Sequence, residues 1–152
     1  MQAFSAGNWD GQADVFSFNF GGYSGKFVLD GANVRLIPKQ DLKVSYTTCS
    51  GGGCPAYLDA GSIISVTITT PDGVQYLFGT TAALEYSTTT SYNVSGSSNC
   101  AVKNFTAPVV TAWHLKSITN PRTNDVITFT YATNKIIYDL SYNESFRFRD
   151  PN

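Results

Sequence analysis

The chain has 152 residues, of which 42% are hydrophobic, 14% aromatic and only 14% charged, a length that suits a single domain. Ten basic and eleven acidic residues are scattered singly and leave a formal net charge of −1, which argues against nucleic acid or an anionic membrane as a partner. Ten Phe, nine Tyr and two Trp supply the apolar surface that disordered chains lack, and no apolar run approaches the ~18 residues of a membrane-spanning helix.

The first residues, Met1-Gln2-Ala3-Phe4-Ser5, have neither the basic residues nor the apolar stretch of a secretory signal. At the other end, Phe146 to Asn152 breaks off where an amphipathic strand pattern has barely finished. The expectation is one β-domain over 1–152, cut from a longer chain. Asn8-Trp9-Asp10-Gly11-Gln12-Ala13-Asp14 spaces oxygen ligands like a calcium loop, yet it lacks the closing bidentate Glu and a flanking helix, so an ordinary polar entry loop is the better reading. Next, Phe16, Phe18 and Phe20 alternate with Ser17 and Asn19, the two-residue period of a half-buried strand. Gly21-Gly22 separates 15–20 from 23–29, and Asp30-Gly31-Ala32-Asn33 precedes a short run at 34–37. Cys49-Ser-Gly-Gly-Gly-Cys54-Pro55 is too rich in Gly for a strand interior.

Ile64, Val66 and Ile68 then alternate with Ser65, Thr67 and Thr69. Thr70-Pro71-Asp72-Gly73 has the Pro and Gly placement of a tight turn, so 62–70 and 74–79 read as a hairpin. A long stretch of Thr, Ser and Asn over 87–108 follows, a loop length that is uncommon inside a compact domain. Beyond it, Asn120 to Asp125 divides 111–119 from 126–132, and Ala132-Thr133-Asn134 permits a further reversal into 135–140. No window carries a sustained 3.6-residue stripe. The expected fold is therefore all-β: antiparallel hairpins or a meander forming a twisted sheet, a sandwich or an open barrel.

Candidate chemistry is sparse. Cys49 and Cys54 are placed for a local disulfide at a hairpin tip if the protein is exported, while Cys100 has no obvious mate. Zinc would need four ligands, and three Cys with one His at irregular spacing make a poor set, so no metal site is assigned. His114 is the sole histidine. No Gly-x-Ser-x-Gly elbow accompanies it, and a strand residue beside a buried Trp113 is the plainer reading than a general base. Asp139 and Glu144 do not define a glycosidase pair, because that pair is set by spatial separation. Gly51-Gly52-Gly53 lacks the Lys and helix of a phosphate loop. No cofactor and no catalytic residue is assigned, and the chain is expected not to be an enzyme. Sequons at Asn93, Asn104 and Asn143 are within what chance supplies in a Ser/Thr-rich chain. The remaining binding signal is aromatic. Tyr76, Tyr86 and Trp113, with Tyr92, Tyr138 and Tyr142, make a candidate stacking platform for the apolar face of a sugar, against the plainer reading of cross-strand partners and core.

Gly7-Asn8-Trp9-Asp10 followed by Asp14-Val-Phe-Ser-Phe-Asn-Phe-Gly-Gly-Tyr-Ser-Gly-Lys-Phe-Val28 resembles the segment ahead of the repeats in large bacterial RHS/YD-repeat proteins. Leu36-Ile37-Pro38, Asp41 to Tyr46, Ile68 to Gly79, Glu85-Tyr86-Ser87, Ala112 to Ile118, Pro121 and Asp125 to Tyr131 are similar to that family's later blocks, in the same order. The Gly-Cys loop and 87–108 depart from the pattern as insertions, and the repeats themselves are missing save for a faint echo in Ile136-Ile137-Tyr138-Asp139. The resemblance implies a secreted or cell-surface giant protein whose β-repeats coil into a shell, enclosing a toxin in related systems. This segment would be a structural, non-catalytic module flanking or capping that shell, with the rest of the polypeptide as its partner. The alternative is a surface glycan- or receptor-binding β-sandwich. A sheet cut at its edge is also open to edge-strand dimerisation.

Overall fold

A computed structural model describes residues 14–50, 54–55, 57–88 and 108–136. In chain order the strands are β1 (Val15–Phe20), β2 (Tyr23–Asp30), β3 (Asn33–Ile37), β4 (Lys43–Thr48), β5 (Ile63–Thr69), β6 (Gln75–Gly79), β7 (Leu84–Ser87), β8 (Val109–Trp113), β9 (Leu115–Asn120) and β10 (Asp125–Thr128). Among the described residues there is no helix. The strands form three antiparallel sheets, of order β1-β2-β3, β10-β9-β6-β5-β4 and β7-β8. None closes into a barrel.

Turn chemistry explains the reversals. Phe20 pairs with Tyr23 and Asp30 with Asn33, so Gly21-Gly22 and Gly31-Ala32 are two-residue hairpin loops. At 70–74 the Thr70 N–H donates to the Val74 carbonyl and the Gly73 N–H to the Thr70 carbonyl, both at 2.9 Å. The buried Thr70 hydroxyl donates to the Asp72 carboxylate and also lies 3.0 Å from the Val74 carbonyl, which fixes the turn from inside. A cis Ile37–Pro38 bond lies in the connection from β3 to β4.

The Phe16–Phe18–Phe20 face packs down onto the five-stranded sheet. Phe20, Phe27, Val66 and Ile68 are the buried centre, ringed by half-buried residues including Leu36, Val44, Tyr46, Tyr76 and Phe78. The Phe20 ring centroid stands 4.6 Å from that of Tyr76 and 5.3 Å from that of Phe78, both on the facing sheet. Phe16 stacks on Phe27 within its own sheet at 4.9 Å. Each such side chain, once fully buried, contributes about 1.5–3 kcal/mol. The small residue in the family-like string also has a steric reason. A Cβ at Gly25 would sit 2.9 Å from the Phe18 ring and 2.7 Å from the Gln40 amide nitrogen, whose N–H donates to the Ser24 carbonyl.

Three strands cannot cover five. β4, β5 and β6 carry the core residues, whereas all four residues of the edge strand β10 are exposed. Val126 and Ile127 point to opposite faces of that strand, and each keeps 58% of its surface in solvent.

Several boundaries differ from the expectation. The single strand expected at 111–119 starts at Val109 and breaks at His114, giving β8 and β9. The strand expected at 126–132 ends at Thr128. Of 135–140, Lys135 and Ile136 are described and lie outside any strand. Residues 1–13, Tyr92, Asn93, Cys100, Asn104, Tyr138, Asp139, Tyr142, Asn143 and Glu144, on which expectations were placed, lie outside the described residues.

Candidate functional site

The places where chemistry-bearing side chains gather all follow from one backbone event. β6 passes into β7 through Gly79 and Thr80, which have φ of 85° and 70°, and β8 passes into β9 through His114. The two crossings lie side by side, since the Gly79 N–H donates to the His114 carbonyl at 2.8 Å and the His114 N–H to the Ala83 carbonyl at 2.9 Å. One two-stranded ribbon therefore starts in the five-stranded sheet and bends away to become the separate sheet β7–β8. Only Gly fits at the bend. A Cβ at position 79 would lie 2.5 Å from the Ile64 carbonyl oxygen and 2.7 Å from Trp113 Cδ1.

Two bulges flank the bend on the β8–β9 run. Glu85 pairs with Ala112 and Tyr86 with Val110, so Thr111 is an extra residue. Leu77 pairs with Ser117 and Phe78 with Leu115, so Lys116 is another. The first bulge aims the Thr111 hydroxyl at Glu85, where it donates to Oε1 at 3.2 Å. Glu85 Oε2 lies 3.8 Å from His114 Nε2, and the His114 ring leans on that of Tyr131 with centroids 5.5 Å apart. The Tyr131 hydroxyl donates to the Leu115 carbonyl at 2.7 Å, and Lys116 Nζ donates to the Phe129 carbonyl at 3.0 Å. His114 and Glu85 are both largely in solvent, where a long ion-pair contact is worth little. A nucleophile activated by histidine requires a hydroxyl or thiol bonded to the imidazole. No such bond occurs among the described residues. Nor do they contain a group of three His, Cys, Asp or Glu arranged for a metal ion.

Of the aromatic residues expected to form one platform, the three described ones, Tyr76, Tyr86 and Trp113, are not brought together. Tyr76 lies against Phe20 in the core. Trp113 is half-buried at the bend, donates its indole N–H to the Ile63 carbonyl at 2.9 Å and meets Phe16 edge-on at 5.7 Å. Both rings spend their faces on packing between sheets, the usual use of aromatics at facing strand positions. Tyr86 alone is exposed, and it stacks on Tyr57 with centroids 4.6 Å apart and planes at 22°. Tyr57 belongs to the connection between β4 and β5, where no alternation in the sequence marks it out. Cys49 and Cys54 are joined by a disulfide at the start of the same connection. Cys49 is buried, its N–H donates to the Ser62 carbonyl, and its own carbonyl accepts from the Gly61 N–H, so the disulfide ring hangs from the ends of β4 and β5.

A cleft of about 480 Å³ opens on the opposite flank, lined by Ala32, Asn33, Val34, Val44, Ser45 and Tyr46. Among the described residues it separates the unpaired edges of β3 and β4, and its lining holds no carboxylate, imidazole or thiol. Comparison with protein-family models, with curated proteins and with solved structures finds no match.

Proposed function

We propose that the chain is a structural, non-catalytic β-module that flanks or caps the repeat shell of an RHS-like exported protein. The supporting observation is an apolar interior left open at its margins. Three strands lie over five, β1, β3, β4 and β10 have one edge each without a partner strand among the described residues, and Val15, Ile37, Val109, Val126 and Ile127 are exposed at strand ends and edges. A free-standing domain normally blunts such edges with charge, Pro or a covering loop, whereas a unit of a longer β-structure leaves them to its neighbours. The ordered family-like blocks from Gly7 to Tyr131 are what points to an RHS-like parent. The role calls for no reacting group, and partner, location and export follow from the resemblance.

The test is the reading frame and its product. Tyr-Asp repeats beyond Asn152, and a hollow particle in electron micrographs of the purified parent protein, are the expected result. A parent without repeats would overturn it. The exposed Tyr86, stacked on the half-buried Tyr57, favours a second reading, a glycan-binding surface module. In that case Tyr86→Ala abolishes glycan binding seen by titration calorimetry while the thermal midpoint stays within a few degrees.

A further inference from the structure

We infer that β10 is a homotypic docking edge, which pairs with β10 of a second copy of this chain and joins two five-stranded sheets into one. The inference rests on reading the chain as a module with unsealed edges. Its geometry begins with the Phe129 N–H, which donates to the Lys116 carbonyl at 2.9 Å. Residues 125 and 127 are in register with 120 and 118, so Asp125, Ile127 and Phe129 turn their backbone groups towards β9. The alternate residues Val126 and Thr128 therefore direct their N–H and C=O groups outward, where the sheet has no further strand among the described residues.

An antiparallel pair centred on Ile127 matches these groups to themselves. Val126 then lies opposite the partner's Thr128, outward groups facing outward groups, and Ile127 lies opposite the partner's Ile127. The apolar row Tyr76–Ile118–Ile127, set by the observed registers, continues across the two-fold axis and covers side chains now left in water. Charge agrees with this register. Asp125 falls opposite the partner's Phe129 and not opposite another carboxylate. Beside that Phe129, one strand further in and on the same face, is the partner's Lys116, whose Nζ already lies at the Phe129 carbonyl. Acid and ammonium thus sit two strands apart, roughly 10 Å by strand spacing, which is about one Debye length at 0.1 M salt and well inside it at lower ionic strength. Symmetry repeats the match.

Four residues per strand make a small contact, so the dimer is weak and concentration-dependent. Sedimentation of the chain from about 1 μM to about 1 mM is expected to show mass rising towards twice the monomer, more steeply at low salt. Hydrogen exchange at the Val126 and Thr128 amides slows in step. Ile127→Lys removes the apolar contact, and Thr128→Pro deletes an outward N–H without touching a β9 bond. Each is expected to hold the chain monomeric at the highest concentration, with an unchanged circular dichroism spectrum. A monomer at every concentration overturns the inference, as does a dimer that both variants preserve. Protection of Val126 and Thr128 that ignores concentration overturns it too, because another part of the same chain then occupies the edge. None of these results bears on the repeats of the parent protein, so the module reading stands or falls separately.

Discussion

Gly79 and Thr80 are neighbours at one bend, and their substitutions are expected to act in opposite directions. Ala at position 79 forces a Cβ into the Ile64 carbonyl and the Trp113 ring at a positive φ. We expect Gly79→Ala to lower unfolding free energy in urea by about 3 kcal/mol, combining left-handed strain with overpacking. Thr80 is a β-branched residue at φ 70°, a conformation that Asn tolerates far better. Thr80→Asn is expected to raise stability by about 1 kcal/mol on the same assay. Asp72 offers a test by pH. The Thr70 hydroxyl bonds its carboxylate and, with a weaker contact from the Val74 N–H, holds its pKa below the ordinary 3.8. A depressed carboxyl pKa gives stability that is present above the ordinary range and is lost as pH falls through the folded value. Between pH 5 and pH 2 the wild-type chain should therefore lose more stability than Asp72→Asn, in chemical unfolding followed at each pH.

At the scale of elements, order should fall off across the five-stranded sheet. β5 lies between two strands and carries Ile68, 1% exposed, while β10 is an exposed edge. Amides of β5 are expected to exchange slowest and those of β10 fastest in dilute solution, with β7–β8 between them. The Cys49–Cys54 disulfide closes a short ring, for which chain entropy gives about 2 kcal/mol. Its reduction should lower the thermal midpoint and loosen the β4–β5 connection before the sheets separate, a sequence that limited proteolysis can follow. The hairpins were legible because Gly-Gly, Thr-Pro-Asp-Gly and strict alternation dictate both reversal and register. The broken strand at His114 was less so. Its signal was a slip in parity: Val110 to Trp113 and Leu115 to Ile118 are each three residues apart, an odd spacing that moves apolar side chains across the sheet unless a bulge restores them. β4 and β7 were missed as strands because short runs such as Lys43 to Thr48 have too few alternations to stand out.

For the whole molecule, the all-β class followed from composition and pattern, but the division into three sheets did not. That division depends on which strand edges meet across long sequence separations, as Trp113 meets Ile63, and local pattern carries no record of it. The aromatic residues illustrate the same point. Tyr76, Tyr86 and Trp113 are alike in the sequence, and only the placement of one sheet over the other sends two inward and leaves the third on the surface. With few fully buried side chains among the described residues, each core ring counts for much, so core truncation is expected to be severe. Phe20→Ala removes the ring that touches Tyr23, Tyr76 and Phe78, at a cost of about 3–5 kcal/mol. Loss of the cooperative thermal transition would be the sign that this one residue holds the two layers together.

The doubled crossing at Gly79–Thr80 and His114 also has a mechanical meaning. A single strand passing between sheets is a swivel, free to rotate about its own bonds. Two strands crossing together, tied by the Gly79–His114 hydrogen bond and pinned by the indole of Trp113, behave as a strap. The β7–β8 arm can flex towards or away from the sandwich, but it cannot spin. Ser87 and Val109, at the far end of the ribbon, therefore keep one rotational setting about its long axis even as the arm tilts.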